Sequence, residues 1–408
     1  MSWLAVATLV AAAPALAVKR RAFATSVQGT GNLSAWADAG GHTGLAAGDA
    51  ICRARATAAG LPNAGTYRAW LSTSATDAYC HVQGLSGTRT NACLGASQPG
   101  GGPWYQANGI TAFTDTLARL TGPEYVIYRN LLFDELGQTI PHAESQIWTG
   151  TGVWGGGTGE DCTSWGTNAG TGLTGSTYDS AYHWTYAWER ACNEAHRLLC
   201  LEPGASEPLV LTWSPGALVF VTDPSEEGGN LSSWPGANGA QGIAAGDAVC
   251  RAQAAAAHLP APESFVAWLS TAQVDAISRL TTDGPFRRVD GMVVANGVND
   301  LVDGQIQVSI HVRADGGYLL SPGIAWTGSD ADGTWGGTDC GGWTTAASGN
   351  AGHAGGPSRS RDPGWTANGP YTCPTFSGRL YCFSNVITIF WDGFDATGDT
   401  GRWSSTTF

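Results

Sequence analysis

Ten cysteines are the residues of this 408-residue chain whose spacing most directly implies chemistry, and that chemistry is the oxidation of thiols in pairs. Eight form two matched sets: Cys52, Cys162, Cys192 and Cys200 against Cys250, Cys340, Cys373 and Cys382. The other two, Cys80 and Cys93, arrive together in one stretch that the second set lacks. An even number in each group is the arithmetic of disulfides, with three pairings open for each set of four. There is no Cys-x-x-Cys knuckle and no His at zinc-ligand spacing from a Cys pair, so thiolate ligation of zinc is not expected. Disulfides in turn call for an oxidising compartment.

Other reactive side chains offer less. No Gly-x-Ser-x-Gly, His-Glu-x-x-His or Gly-x-x-x-x-Gly-Lys-Ser/Thr is present, and pairing every Cys leaves no catalytic thiol. His142 and His196 stand without a partner pattern, and the adjacent carboxylates Asp134 and Glu135 read as a solvated turn. Catalysis is therefore not expected, with a hydrolase as the alternative to be tested. Aromatic rings are the stronger candidates, because 18 Trp in a Gly-rich chain cannot all be core. Trp104 and Tyr105, Trp154, Trp335, and Trp184 or Trp365 lie in loop-like stretches, where a flat ring can stack on a sugar or anchor a protein.

The elements that hold these residues are written twice. Asn32 to Ala78 reappears at Asn230 to Ala276 without a gap, identical at 27 of 47 positions. Trp148, Gly150, Cys162 and Trp165 meet Trp326, Gly328, Cys340 and Trp343 downstream. A unit this long is a domain, not a solenoid repeat. The expected division is a signal peptide or anchor at 1–21, a first domain at 22–201 with an insertion at 79–121, a linker at 202–216, a second domain at 217–385 and a tail at 386–408. Ala15 and Ala17 close an apolar run with a small-x-small cleavage signal, although Lys19, Arg20 and Arg21 follow it. Each copy predicts an opening strand, an Ala-rich helix (Ala46 to Ala59, Ala244 to His258), a strand carrying Trp70 or Trp268, and a closing strand. Asp49 and Asp247 read as first-turn residues that favour the positive end of each helix. Ile387 to Trp391 looks strand-like within the tail, and Asp392 to Asp395 looks like a turn. Only 13% of residues are charged and 58 are Gly, which predicts short elements and long ordered loops. A net charge of −13 argues against nucleic acid, heparin-like polyanions and anionic membrane surfaces, and leaves a membrane contact only to an uncleaved N-terminal segment.

The run Ala47-Gly48-Asp49-Ala50-Ile51-Cys52, then Gly60-Leu61-Pro62 and Thr66 to Ser72, resembles the opening of endostatin. Ile147-Trp148-Thr149-Gly150, Cys162-Thr163-Ser164-Trp165 and the Cys192 to Cys200 ending extend the resemblance, and the second copy repeats it. The layout is also similar to that of secreted bacterial domains. The resemblance implies an α+β chain of two tandem C-type-lectin-like, endostatin-like domains, loop-rich and stapled by disulfides. It further implies nested pairing: Cys52 with Cys200, Cys162 with Cys192, Cys250 with Cys382, Cys340 with Cys373, and Cys80 with Cys93.

Sugar-binding C-type lectins use carboxylate triplets to hold Ca²⁺, a hard cation that needs six to eight oxygens. The first copy has Thr151-Gly152-Val153 in the corresponding loop and no carboxylate until Glu160 and Asp161. The second copy has Asp330, Asp332 and Asp339, with Asn299, Asp300 and Asp303 as further oxygens. Calcium on Asp330, Asp332 and Asp339 is thus the one cofactor candidate, and an Asp-Gly turn is the simpler reading. The His-rich zinc site and basic face of endostatin have no counterpart. Together these readings predict a secreted or surface-displayed, non-catalytic protein that binds an extracellular glycan or protein. A structural role in an envelope or matrix is the alternative.

Overall fold

The computed structural model describes residues 18–225, 227–374 and 378–389. Most of the N-terminal segment, the strand-like Phe390 and Trp391 and the turn at Asp392 to Asp395 lie outside the described residues.

Among the described residues, eighteen strands occur in two series. The first holds β1 (Arg20–Ala24), β2 (Arg68–Ala69), β3 (Gly101–Gly102), β4 (Trp104–Gln106), β5 (Ala112–Thr114), β6 (Gln146–Trp148), β7 (Thr171–Ser176), β8 (Trp188–Ala191) and β9 (Arg197–Leu201), and β10 (Gly204–Ala205) follows it. The second holds β11 (Gly216–Val221), β12 (Phe265–Ala267), β13 (Phe286–Arg288), β14 (Val293–Ala295), β15 (Ile324–Trp326), β16 (Ala351–Gly355), β17 (Gly369–Thr372) and β18 (Gly378–Thr388). The sheets have the same order, β5-β4-β1-β9-β6-β7-β8 with β2 on β9, and β14-β13-β11-β18-β15-β16-β17 with β12 on β18. The chain is therefore a mixed α+β protein of two like units.

One 15-residue helix packs on each sheet, Gly44–Ala58 and Gly242–Ala256. Alanine supplies the propensity, and Ala47, Ile51 and Cys52 face inward at helical spacing. Gly48 and Gly246 bring each helix close to its strand, since a Cβ there would lie 2.7 Å from Leu71 Cδ1 or Leu269 Cδ1. The rings shared by both copies are core: Trp70, Trp148 and Trp165, with Trp268, Trp326 and Trp343, are all buried. The Trp165 indole N–H donates to Ser72 O at 2.9 Å, and Trp343 to Ser270 O at 3.0 Å, so each ring is also a polar staple.

All ten cysteines are paired: Cys52–Cys200, Cys80–Cys93, Cys162–Cys192, Cys250–Cys382 and Cys340–Cys373. The bonds Cys52–Cys200 and Cys250–Cys382 tie each long helix to its closing strand. Five disulfides fit an oxidising compartment. Among the described residues no helix is long and apolar enough to cross a membrane.

Four expected boundaries move. The insertion is shorter than 79–121, because β4 pairs parallel with β1 as β13 pairs with β11, so Trp104–Leu120 corresponds to Phe286–Leu301. Backbone pairing preserved this match while the side chains diverged. Arg20 and Arg21, expected within the segment 1–21, lie in β1, where Arg20 Nη1 meets Glu202 Oε1 at 2.7 Å. The linker is docked through its first residues, with β10 on β3 and Glu202 fully buried. The closing strand also continues past Asn385 to Thr388, so part of the expected tail is sheet.

The two units meet along a self-complementary seam. Ser180 N donates to Ser358 O at 2.9 Å and Ser360 N to Tyr178 O at 3.3 Å, around an antiparallel bridge between Asp179 and Arg359. Ser309 Oγ lies within hydrogen-bond reach of Asn130 Oδ1 at 3.2 Å and of Ser180 Oγ at 2.9 Å. Arg288 lies buried beside it, bonded to Asp290 Oδ2 at 2.6 Å, Ser309 O at 2.9 Å and Tyr128 O at 2.9 Å. Val126 and Tyr128 from the first unit join the core of the second.

Candidate ligand-binding site

The loop between β6 and Cys162 is pinned at its base by a bridge between Thr151 and Gly157. Asp77, nearly buried, accepts from Gly157 N at 2.7 Å and Arg89 N at 2.6 Å, so one carboxylate joins the loop to the neighbouring turn. Trp154 stands at the tip, 39% exposed, with φ at +71°, a conformation that a bulky side chain adopts only when its surroundings enforce it. The enforcing contacts are on both sides of the residue. Its N–H donates to the Tyr125 hydroxyl at 2.6 Å, Arg89 Nη1 donates to its carbonyl, and the Tyr125 ring lies 5.6 Å from its indole. Burial pushes the Tyr125 hydroxyl up to about 12, against the Trp154 amide and Arg89, so it stays protonated at neutral pH. Arg89 is itself fixed by Thr121 O at 2.8 Å and by the Tyr79 ring at 4.5 Å. Asp77, Arg89, Thr90, Val153, Trp154 and Gly156 line an open depression of about 270 Å³. A rigid half-exposed ring beside hydrogen-bonding side chains suits recognition without needing to reorder on binding.

Trp335, also 39% exposed, is not the structural twin of Trp154. The bridge Ser329 to Trp335 matches Thr151 to Gly157, and Trp335 N donates to Asp275 Oδ1 at 2.9 Å as Gly157 N does to Asp77. Trp335 therefore occupies the place of Gly157, and Asp332 that of Trp154.

The other proposed ligand rings are not available. Trp104 is 1% exposed and donates its indole N–H to Glu202 O at 2.9 Å, and Tyr105 beside it is buried in the same sheet. Trp365 is fully buried, 5.5 Å from Trp268, and Trp184 holds the same position against Trp70 at 5.0 Å. These rings are buried because their strand and 3-10 turns lie under covered faces, which loop-like composition does not reveal.

The calcium ligands Asp330, Asp332 and Asp339 are not brought together. Asp332 Oδ1 closes its own turn by accepting from Thr334 N at 3.0 Å and Thr334 Oγ1 at 2.6 Å, which hold its pKa below the ordinary carboxylate range. Asp339 Oδ1 caps the turn Cys340–Trp343 through Gly342 N at 2.9 Å. Among the described residues no three His, Cys, Asp or Glu side chains gather where they could hold a metal ion.

Asp134 and Glu135, expected in a solvated turn, and Asp49 and Asp247, expected in the first turn of helices that in fact begin at Gly44 and Gly242, are structural ties. Glu135 is buried and accepts from Ser26 N, Ser26 Oγ and Arg55 Nε at 2.8, 2.5 and 2.7 Å. Burial works against the Arg55 charge, but Glu135 and Asp38 outweigh it and raise its pKa. Asp134 is also buried and accepts from Leu136 N and Gln138 N, both at 2.9 Å. Asp49 faces inward, accepting from Ala69 N at 3.0 Å and pairing with Arg68 and His81. Asp247 does the same with Ala267 N and Arg279. His196 packs edge-on against Trp148, and His142 reaches Asp362 across the seam at 3.0 Å.

Comparison with known proteins gives no matching family model and no matching curated protein.

Proposed function

We propose that this chain is a secreted or surface-displayed, non-catalytic binding protein built of two lectin-like domains, and that it holds an extracellular glycan or protein. The supporting observation is Trp154, a half-exposed ring held at positive φ by Tyr125 and Arg89 at the edge of an open depression. A fold that needed this ring only for packing would bury it, and one that used the loop only as a turn would place Gly there, as at Gly155 beside it. The test is glycan-array and protein-array binding of the full disulfide-bonded chain, with and without EDTA, beside Trp154→Ala. Hits that persist in EDTA and weaken about tenfold in the variant are expected. Hits indifferent to Trp154→Ala would refute this site, and hits lost in EDTA would restore a calcium mechanism.

A further inference from the structure

The duplication supplies an internal control. A ring that the fold requires appears in both units, as Trp36 and Trp234, Trp70 and Trp268, or Trp184 and Trp365 do. Between Trp184 and Cys192 the alignment with Trp365 to Cys373 has no gap, and β8 matches β17 within it. At this offset Tyr182, His183, Tyr186 and Trp188 meet Pro363, Gly364, Ala367 and Gly369. Four rings in one unit face none in the other on the same scaffold. The fold does not require them.

These rings form a connected strip on the first unit. Trp188 lies 6.1 Å from His183 at 24°, His183 lies 4.8 Å from Tyr182, and Tyr182 lies 6.0 Å from Tyr186. A Cβ on Gly152 would be 4.0 Å from Tyr186 Cδ2, which carries the strip to the base of the Trp154 loop. Tyr186 is 42% exposed and Trp188 36%. Trp188 is flanked by polar groups: Arg190 lies over its ring at 5.7 Å and donates Nε to Gln146 Oε1 at 2.7 Å.

We infer that this strip, with Trp154 at one end and Trp188 at the other, is a binding platform for an uncharged polysaccharide, and that the second unit lacks it. The inference rests on the binding role proposed above. Charge selects the occupant. A polyanion would meet a chain of net charge −13, and a polycation would meet Arg190 at one end and Arg89 at the other. A hydroxyl-bearing neutral polymer meets neither objection. Its sugar C–H faces suit exposed rings, and its hydroxyls suit the Gln146 and Arg190 groups beside Trp188. Burial lowers the His183 pKa, opposed by Asp179 and reinforced by Arg359, so at neutral pH that ring adds no charge.

The experiment is affinity electrophoresis of the full chain in native gels containing hydroxyethyl cellulose, arabinoxylan or dextran, with carboxymethyl cellulose as the charged control. Retardation by at least one neutral polymer is expected, weakened about fivefold to tenfold by Trp188→Ala and by Tyr186→Ala and unchanged by Trp335→Ala. Both substituted rings are half-exposed, so the melting temperature and the protection of the disulfides should stay at wild-type values. Retention lost in Trp154→Ala but intact in Trp188→Ala and Tyr186→Ala would overturn the strip and leave the loop site standing. No retention in any neutral gel overturns the polysaccharide assignment, and a Trp154-dependent protein ligand on the array would then preserve the broader binding role.

Discussion

Replacing Arg288 with Ala tests whether the seam is held by its buried charge pair. Arg288 is fully buried and contacts Asp290, Ser309 O, His311 and Tyr128 O, the last from the other unit. Burial alone would raise the Asp290 pKa, but Arg288, the Tyr318 hydroxyl and the Met292 amide outweigh it and hold the carboxyl below its ordinary range. Truncation leaves that carboxylate without its cation, a change that costs about 3–5 kcal/mol. For a unit of this size the loss corresponds to a melting temperature lower by roughly 10 °C. The pH dependence follows from the direction of the shift. In the wild type the depressed carboxyl stabilises the fold above its unfolded pKa of about 3.9, and that gain disappears as pH falls through the folded value. In Arg288→Ala burial is opposed only by the Tyr318 and Met292 hydrogen bonds, the pKa rises, and acidification relieves the penalty by protonating Asp290. The difference between the two proteins should therefore be largest at pH 7 and narrow below about pH 4. Arg288→Gln with Asp290→Asn removes both charges, keeps an amide oxygen to accept from Met292 N and offers the amide N–H to the Tyr318 hydroxyl, and should recover most of the loss. The first unit already places Gln106 at this position, donating to Asn130 O at 3.0 Å. Differential scanning calorimetry at pH 7 and pH 3.5 is the assay. A shift under about 2 °C at pH 7, or an undiminished gap at pH 3.5, would refute the argument.

Removing the long-range bridge of the second unit with Cys250→Ser and Cys382→Ser should lower its stability by about 2–5 kcal/mol in urea denaturation while leaving Trp154-dependent binding unchanged. Burial, with help from Arg288, pushes His311 down to about 3, so the unfolded chain takes up its proton first and stability is lost as pH falls from about 6.5 toward that value. His311→Leu, which copies Leu132 of the first unit, should flatten this loss between pH 6.5 and 4.5, and parallel denaturation midpoints for both proteins would contradict it. Asp247→Ala strands Arg279 and the Ala267 N–H and should cost about 3 kcal/mol, whereas Asp247→Asn, which still accepts from Ala267 N, should cost less. Equal losses in thermal melts would show that the charge, not the backbone bond, is what matters there.

The framework was legible wherever identity of type carries the physics. Cys and Trp cannot be exchanged for other residues at a disulfide or an indole staple, so Cys162 with Cys340 and Trp165 with Trp343 align the copies and mark the core. The match of Trp104–Gln106 with Phe286–Arg288 was hidden because a sheet ladder uses the backbone, and the side chains there share nothing. Glu135 differs from the expected solvated turn because a carboxylate's burial depends on a distant partner, here Arg55, that sequence spacing does not locate; Asp134 is buried by a local turn through Leu136 N and Gln138 N, and Asp49 and Asp247 lie beyond the first turn because their helices begin at Gly44 and Gly242. Trp154 and Trp335 fell three positions apart on one loop, a difference visible only by counting from Cys162 and Cys340. Tyr186 and Trp188 passed unnoticed for a different reason. Residues shared by the copies mark the framework, whereas these rings are informative because only one copy has them.

The seam has the contact pattern of a symmetric dimer whose two subunits have become one polypeptide, with Ser180 against Ser358 answered by Ser360 against Tyr178. In a true homodimer every substitution appears twice, and a residue near the axis must be compatible with its own copy. Here Asn130 faces Ser309, two different residues at one seam position, a pairing that identical chains related by a two-fold axis could not present. Covalent joining also keeps the halves at high effective concentration, so neither half must hold the pair together by contact strength alone. One half is thereby free to keep an aromatic face while the other replaces it with Gly, Ala and Pro, a division of labour closed to an assembly of identical chains.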